Sequence, residues 1–177
     1  MNTIFFKTIA FLGIFIFLNF SSVKQINAKV EVSSSANLNR MTVEEFSDYR
    51  VLTLKNYLVK HRSPLSYYSK DIVFYADYYN LDWRLVPAIA GVESTFGKNI
   101  PTKSYNAFGW ANGAYRFNSW SHSISLVSRT LRENYIDDGL VTTYQISRRY
   151  APPSNSWAWK VDYFMEDIDP IQAEFNL

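Results

Sequence analysis

Apolar residues recur at the three- and four-residue spacing of an α-helix along most of the chain after residue 41, which predicts a mainly helical domain. The segment Thr42-Val43-Glu44-Glu45 has the pattern of a capping box and predicts a first helix that runs to about Lys60. Ser63-Pro64 predicts the start of the next helix, because proline is favoured at the first helical position. Asn80 is expected to end that helix in a left-handed cap.

A third, strongly apolar helix is predicted from a cap at Asp82 to Glu93. Pro87 lies just beyond the first turn of a helix with these bounds, where its missing N–H would remove one backbone hydrogen bond. A helix that starts later would avoid this loss, and the sequence leaves both possibilities open.

Three further helices are predicted in the second half of the chain. The first begins at Ser121 or a nearby serine and stops at Gly139. Its apolar stripe consists of Ile124, Val127, Leu131 and Tyr135. The second covers about Thr143 to Tyr150 and ends before Pro152-Pro153, and the last covers about Ser156 to Ile168.

Residues 107–117 have a different pattern from the predicted helices. Two aromatic runs, Ala107 to Trp110 and Tyr115 to Phe117, flank the segment Ala111-Asn112-Gly113-Ala114. Asn-Gly between such runs favours a tight turn between paired strands. The predicted fold is therefore mainly α, with one small β-hairpin after the third helix.

The first residues have the pattern of an export signal rather than of a folded element. Lys7 precedes a nearly continuous apolar run from Thr8 to Phe20, and the leader ends in Ile26-Asn27-Ala28. About 13 apolar residues are fewer than the roughly 20 that span a bilayer. We expect a signal peptide at residues 1–28, a polar linker at 29–40, a folded domain at 41–177 and a secreted or periplasmic location. An uncleaved leader that tethers an assembly protein to the membrane remains an alternative.

Charge and composition exclude several classes of function. Cleavage after Ala28 would remove Lys7 and Lys24 and leave 16 basic residues against 16 acidic ones, which gives no electrostatic argument for nucleic-acid binding. The chain has no cysteine, so disulfides, thiolate metal sites and cysteine nucleophiles are excluded. His61 and His122 are far apart and lack a ligand pattern, so neither a metal site nor a cofactor is predicted.

Glu93 is the strongest candidate for a catalytic group. It follows Ile89 by four residues, so it shares a helix face with apolar residues, and Phe96 and Trp110 are expected to desolvate it further. The end of a helix disfavours negative charge, and no cation lies within the four preceding residues. All of these effects favour the neutral acid, which could protonate a glycosidic oxygen in a groove. A Glu that only binds loop amides remains the alternative.

Three segments together resemble one family. They are Glu93-Ser94-Thr95-Phe96-Gly97, Tyr105-Asn106-Ala107-Phe108-Gly109-Trp110 and Tyr115-Arg116-Phe117. In this order they are similar to the bacterial glucosaminidases, the endo-β-N-acetylglucosaminidase-like enzymes of the lysozyme-like superfamily, which are close to lytic transglycosylases. The resemblance covers roughly Ser66 to Ile168. It implies a helical, lysozyme-like fold and a cell-wall-associated enzyme that hydrolyses β-1,4 bonds of peptidoglycan strands.

The resemblance also implies roles for individual residues. Glu93 matches the catalytic acid, and Tyr150 looks like a late tyrosine that reaches into the site. Trp110 stands where transglycosylases continue Gly-Leu-Met-Gln, so this segment is more similar to the glucosaminidases. The predicted substrate-binding residues are Ser94, Phe96, Asn106, Phe108, Gly109, Trp110 and Tyr115. A monomer whose partner is the glycan strand is expected.

A second catalytic carboxylate is not evident, since no Asp or Glu lies between Glu93 and Arg132. The candidates elsewhere are Asp77, Asp82, Glu133, Asp137 and Asp138. A single-acid mechanism is therefore favoured, in which the N-acetyl group of the substrate stabilises the positive charge. A lytic transglycosylase and a non-catalytic wall-binding domain remain open. Arg148-Arg149 is interpreted as a solvated helix end, or as a contact for carboxylates of the wall.

Overall fold

The computed structural model of the protein describes residues 48–170, and these are mainly helical. In chain order the elements are α1 (Tyr49–Lys60), a short 3-10 helix (Pro64–Tyr68), α2 (Ser69–Tyr78), α3 (Leu85–Ser94), α4 (Trp120–Leu131), a π-helical turn (Arg132–Ile136), α5 (Thr143–Tyr150) and α6 (Trp157–Ile168). The mainly helical prediction is confirmed. Within residues 48–170 no helix is long and apolar enough to cross a membrane.

The helix α3 is the centre of the core. Its residues from Leu85 to Gly91 are all buried, as expected for a helix that is apolar on every side. It packs most extensively against α6, and Gly91 lets the two approach closely. A Cβ atom at Gly91 would lie 2.7 Å from the Phe96 ring and 3.0 Å from the Phe164 ring. The carboxyl-terminal end of α3 is thereby held firmly, and Glu93 lies in this last turn.

The start of α3 resolves the ambiguity at Pro87. The helix begins at Leu85, so Pro87 is its third residue and lies among the first four N–H groups, which have no partner inside a helix. The missing N–H of Pro87 therefore breaks no helical hydrogen bond. The predicted cap at Asp82 is not the helix cap, because Arg84 occupies that position without a side-chain cap hydrogen bond. The Asp82 carboxylate instead accepts from Arg84 N at 2.9 Å in the turn before the helix.

Most predicted helix ends lie close to those observed. Asn80 follows α2 with a positive φ of 49°, as the predicted left-handed cap requires. Ser119 rather than Ser121 caps α4, and its Oγ accepts from His122 N at 3.1 Å. The α5 bounds match the prediction, and a reciprocal capping box between Thr142 and Gln145 starts this helix.

Several predictions about the amino-terminal region fall outside the described residues. These are the signal peptide at 1–28, the linker at 29–40 and the capping box at Thr42 to Glu45. Within the described part of the chain, α1 begins at Tyr49, and Asp48 caps it by accepting from Arg50 N at 3.0 Å.

The predicted β-hairpin is not present, since residues 48–170 contain no β-strand. Residues 107–114 instead form successive turns, in which Gly113 N donates to Trp110 O and Tyr115 N donates to the same oxygen. The side chain of Asn106 provides the physical reason. Its Nδ2 donates to Trp110 O at 2.9 Å and to Tyr115 O at 3.1 Å, so it binds both aromatic runs in place of a backbone ladder.

Candidate active site

Glu93 is partly buried, and neutral groups lie against both oxygens of its carboxyl group. The indole Nε1 of Trp157, the first residue of α6, donates a hydrogen bond to Oε1 at 2.7 Å. Oε2 lies against the backbone of Gly109, where a Cβ atom would be only 2.3 Å away. Gly109 also has a φ of +70°, which favours glycine. The close approach of this loop to α3 therefore requires glycine at position 109.

The surroundings of Glu93 favour its protonated form. Burial raises the pKa of Glu93 above its ordinary value, and the hydrogen bond from Trp157 opposes this rise without cancelling it. Because Trp157 donates to Oε1, that oxygen is held as an acceptor. The proton of the neutral acid is then left to Oε2.

Glu93 opens into a groove of about 690 Å³. The groove is lined by Glu93, Phe108, Gly109, Trp110, Ala111, Asn112, Tyr115, Thr130, Tyr135, Tyr150, Ala151 and Pro152. Among these lining residues Glu93 is the only one with a charged side chain, and five contribute aromatic rings. This combination of flat apolar faces with a few polar groups suits an uncharged, hydroxyl-rich ligand.

Asn106 shapes one wall of the groove without lining it. Its side chain is buried, and its Oδ1 accepts from Trp110 N at 3.1 Å in addition to the two bonds that Nδ2 donates. These bonds hold Trp110 and Tyr115 together, with their ring centres 5.7 Å apart. Asn106 was predicted to bind substrate, but it is absent from the groove lining and instead organises the backbone that carries Trp110 and Tyr115.

Tyr150, which the resemblance implied to be a late tyrosine of the site, lines the same groove as Glu93. Its hydroxyl donates to Phe108 O at 2.7 Å, and its ring stacks on Trp157 with the centres 5.1 Å apart. Burial and the nearby Glu93 charge raise the pKa of Tyr150 well above its ordinary value, against a hydrogen bond from Trp110. Tyr150 is therefore a neutral phenol that links the Phe108 loop to the indole holding Glu93.

Ser94 and Phe96 do not line the groove. The Oγ of Ser94 donates to Ala107 O at 2.8 Å and accepts from Gly97 N at 2.8 Å, which ties the end of α3 to the loop that follows. The Phe96 ring packs in the core, edge-on to Phe164. Both residues were predicted to bind substrate, but neither is part of the groove lining, and both instead stabilise the end of α3.

None of the candidates for a second carboxylate lies in the groove, and each is bound to an arginine. The pairs are Asp77 with Arg50, Asp82 with Arg84, Glu133 with Arg129, Asp137 with Arg132 and Asp138 with Arg149. Among the described residues that line the groove, Glu93 is therefore the one carboxyl group available for chemistry.

Trp157 is the main residue of the site that the sequence did not reveal. It lies 64 residues after Glu93, and local spacing carries no signal for a hydrogen bond over such a separation. Thr130 and Asn112 were also not singled out. Tyr135 had been assigned only to an apolar helix stripe, but its ring lines the groove and lies 6.0 Å from the Tyr150 ring.

The two histidines lie apart from the groove. His61 packs between Tyr57 and Phe96, with ring centres 4.5 Å and 4.8 Å away, and burial lowers its pKa. His122 accepts a hydrogen bond from Asn118 N through Nδ1. Within residues 48–170, no group of three His, Cys, Asp or Glu side chains is placed to hold a metal ion.

No protein-family model matches the chain, and no curated protein was found to match it. The resemblance of the segments around Glu93, Asn106 and Tyr115 to glucosaminidases therefore stays a prediction.

Proposed function

We propose that this protein is an exported peptidoglycan hydrolase of the N-acetylglucosaminidase type, with a lysozyme-like fold, and that Glu93 is its general acid. One observation carries the proposal. A partly buried carboxyl group with a raised pKa is the only charged side chain among the residues lining an aromatic groove. General acids of glycosidases need this combination, because the acid must keep its proton near neutral pH and release it to a leaving oxygen.

The groove offers binding surfaces suited to a glycan. The rings of Trp110 and Tyr115 form one wall, and Tyr115 is 40% exposed, so part of its surface is free to contact a sugar. Aromatic side chains pair an apolar face with a polar tip, which matches the apolar face and hydroxyl rim of a pyranose ring. A volume of about 690 Å³ lies within the usual range for ligand sites.

The proposed reaction uses one carboxyl group twice. Glu93 gives its Oε2 proton to the glycosidic oxygen as the bond to the anomeric carbon breaks. The carbonyl oxygen of the substrate's own N-acetyl group stabilises the developing positive charge, because the groove supplies no second carboxylate. The Glu93 carboxylate then accepts a proton from the attacking water, which restores the acid and leaves a reducing sugar end.

A lytic transglycosylase is the second candidate, and the single carboxyl group of the groove favours it as well. In that reaction the carboxylate of Glu93 would take the proton from a hydroxyl of the substrate instead of from water. The product would then carry an anhydro ring in place of a reducing end.

Digestion of purified peptidoglycan by the wild type and by Glu93→Gln tests the proposal. The Gln side chain can still accept from Trp157 but has no acidic proton, so we expect new reducing ends only with the wild type. The variant should melt no lower than the wild type, which excludes unfolding as the cause. Mass spectrometry of the sugar ends is the measurement.

The other outcomes decide between the alternatives. Anhydro ends would identify a transglycosylase. Cleavage by Glu93→Gln at the wild-type rate would overturn the role of Glu93. Binding of the wild-type protein to peptidoglycan without any new ends would identify a non-catalytic wall-binding domain.

A further inference from the structure

A second cavity continues the groove beyond the end of α5. It has a volume of about 350 Å³ and shares two lining residues, Ala151 and Pro152, with the groove. We call it the Arg148 cavity. It is lined by Tyr144, Ser147, Arg148, Ala151, Pro152, Pro153, Ser154, Asn155 and Ala158. Arg148 is the only charged side chain among these lining residues, so the cavity is electrostatically positive.

Arg148 differs from most of the other described arginines in having no carboxylate partner. Five arginines form ion pairs, namely Arg50, Arg84, Arg129, Arg132 and Arg149. The adjacent Arg149 is held by Asp138 at 2.7 Å and by the backbone oxygen of Asn134. Within residues 48–170, the side chain of Arg148 makes neither a hydrogen bond nor an ion pair. Its guanidinium donors are therefore available to a ligand.

The chemistry of the Arg148 cavity fits a carboxylate. An arginine can bind a carboxylate through two parallel hydrogen bonds, and no acidic side chain of the cavity competes for it. The side chain of Asn155 is exposed and unpaired within the described chain, so it offers a further donor. Tyr144 is 68% exposed and adds an apolar face at the rim.

We propose that the Arg148 cavity is a specificity subsite for the carboxylate-bearing lactyl and peptide substituents of the glycan strand. The inference rests on the proposed function, because it assumes that the strand lies in the adjoining groove. A strand in the groove carries its substituents to the shared edge at Ala151 and Pro152. Neutral polymers of N-acetylglucosamine lack a carboxylate, so they gain nothing from Arg148. The protein therefore prefers acidic, peptide-bearing strands.

Binding measurements on the Glu93→Gln protein test this subsite without cleavage. The probe is a soluble peptide-bearing glycan fragment, compared with the same fragment whose carboxylates have been converted to methylamides. Arg148→Gln should weaken binding of the acidic fragment about fivefold, since an exposed charge contact is worth about 1 kcal/mol. It should leave binding of the amidated fragment unchanged. Isothermal titration calorimetry gives both constants.

Arg62→Gln is the matched control, because Arg62 is also exposed and lacks a carboxylate partner within the described chain but does not line either cavity. It should bind the acidic fragment as the parent does. The subsite is overturned if Arg148→Gln has no effect or if Arg62→Gln has an equal effect. It is also overturned if both fragments are weakened equally or if the acidic fragment does not bind. Arg148-dependent binding by a wild type that cleaves nothing would leave the subsite standing and refute the proposed catalysis.

Discussion

At the scale of the residue, Glu93 is held by contacts that carry no charge. The indole of Trp157 binds one oxygen, and the backbone of Gly109 lies against the other. A cation in either place would stabilise the carboxylate and lower its pKa. A neutral donor fixes the orientation of the side chain, and burial remains the largest influence on the pKa of Glu93.

Trp157→Phe separates the hydrogen bond from the aromatic packing. Phenylalanine keeps a ring against Tyr150 but removes the N–H that favours the carboxylate, so the pKa of Glu93 should rise further. The alkaline limb of the pH–rate profile should then move to higher pH, since the proposed mechanism requires Glu93 to be protonated. The maximal rate should fall by about 10- to 100-fold, because the acid is less well oriented.

The control for this variant is Trp159→Phe, two residues along the same helix at a position that is 58% exposed. It should leave the pH–rate profile of wall cleavage unchanged. A shift of the alkaline limb to lower pH in Trp157→Phe would show that the indole does not stabilise the charged form.

At the scale of the element, the site forms where a loop meets the end of a helix. Three successive residues with positive φ, Thr95, Phe96 and Gly97, end α3 sharply. Ser94 then ties the helix end to Ala107 O, which brings Gly109 against the carboxyl group. The position of Glu93 thus depends on both the helix and the loop.

Gly109→Ala should displace the carboxyl group of Glu93. The added Cβ would lie 2.3 Å from Oε2, and a flexible Glu side chain can relieve this clash only by moving away. We expect glycan cleavage to fall about 100-fold. Stability should fall by about 1–2 kcal/mol, because alanine is strained at a positive φ.

Gly139→Ala provides the comparison. Gly139 has a φ of +84°, and no heavy atom lies within 4 Å of an added Cβ. This variant should lose a similar amount of stability in thermal unfolding and retain full cleavage. Loss of cleavage in both variants alike would mean that backbone strain, rather than contact with Glu93, is responsible.

Some helix starts could be predicted from the sequence, whereas the turns at residues 107–114 could not. The helix start at Ser63-Pro64 was predictable because a cap depends on a few adjacent residues. The turns at residues 107–114 were not, because an Asn-Gly pair between aromatic runs predicts a hairpin unless a side chain such as Asn106 binds the same backbone groups. That competition requires the three-dimensional position of Asn106, which spacing does not reveal.

At the scale of the whole molecule, the groove is assembled from distant parts of the chain. Glu93 and Tyr150 could be nominated from their own segments, but Trp157 reaches the site only through the packing of α6 against α3. Tyr135 lines the groove from the π-helical turn that continues α4. The candidate acid was thus predictable, whereas the groups that orient it were not. The same packing buries Glu93, so the ionised form of its carboxyl group destabilises the folded protein.

Because burial disfavours ionised Glu93, we expect a pH-dependent difference in stability between the wild type and Glu93→Gln. The folded state raises the pKa of Glu93, so it binds this proton more tightly than the unfolded chain does. The unfolding free energy of the wild type should therefore fall, relative to that of the variant, as the pH rises from about 4 through the folded pKa. Denaturant unfolding of both proteins at several pH values measures the difference. A difference that is constant across this range would contradict the burial of Glu93.

Gly91 has a consequence for how this protein can diversify. With two phenylalanine rings against its Cα, position 91 accepts no larger side chain without repacking. The opposite rim of the groove, at Ala111, Asn112 and Tyr115, is exposed. Under the proposed function, new substrate preferences can therefore arise by substitutions on this rim, while the helix that carries Glu93 remains unaltered.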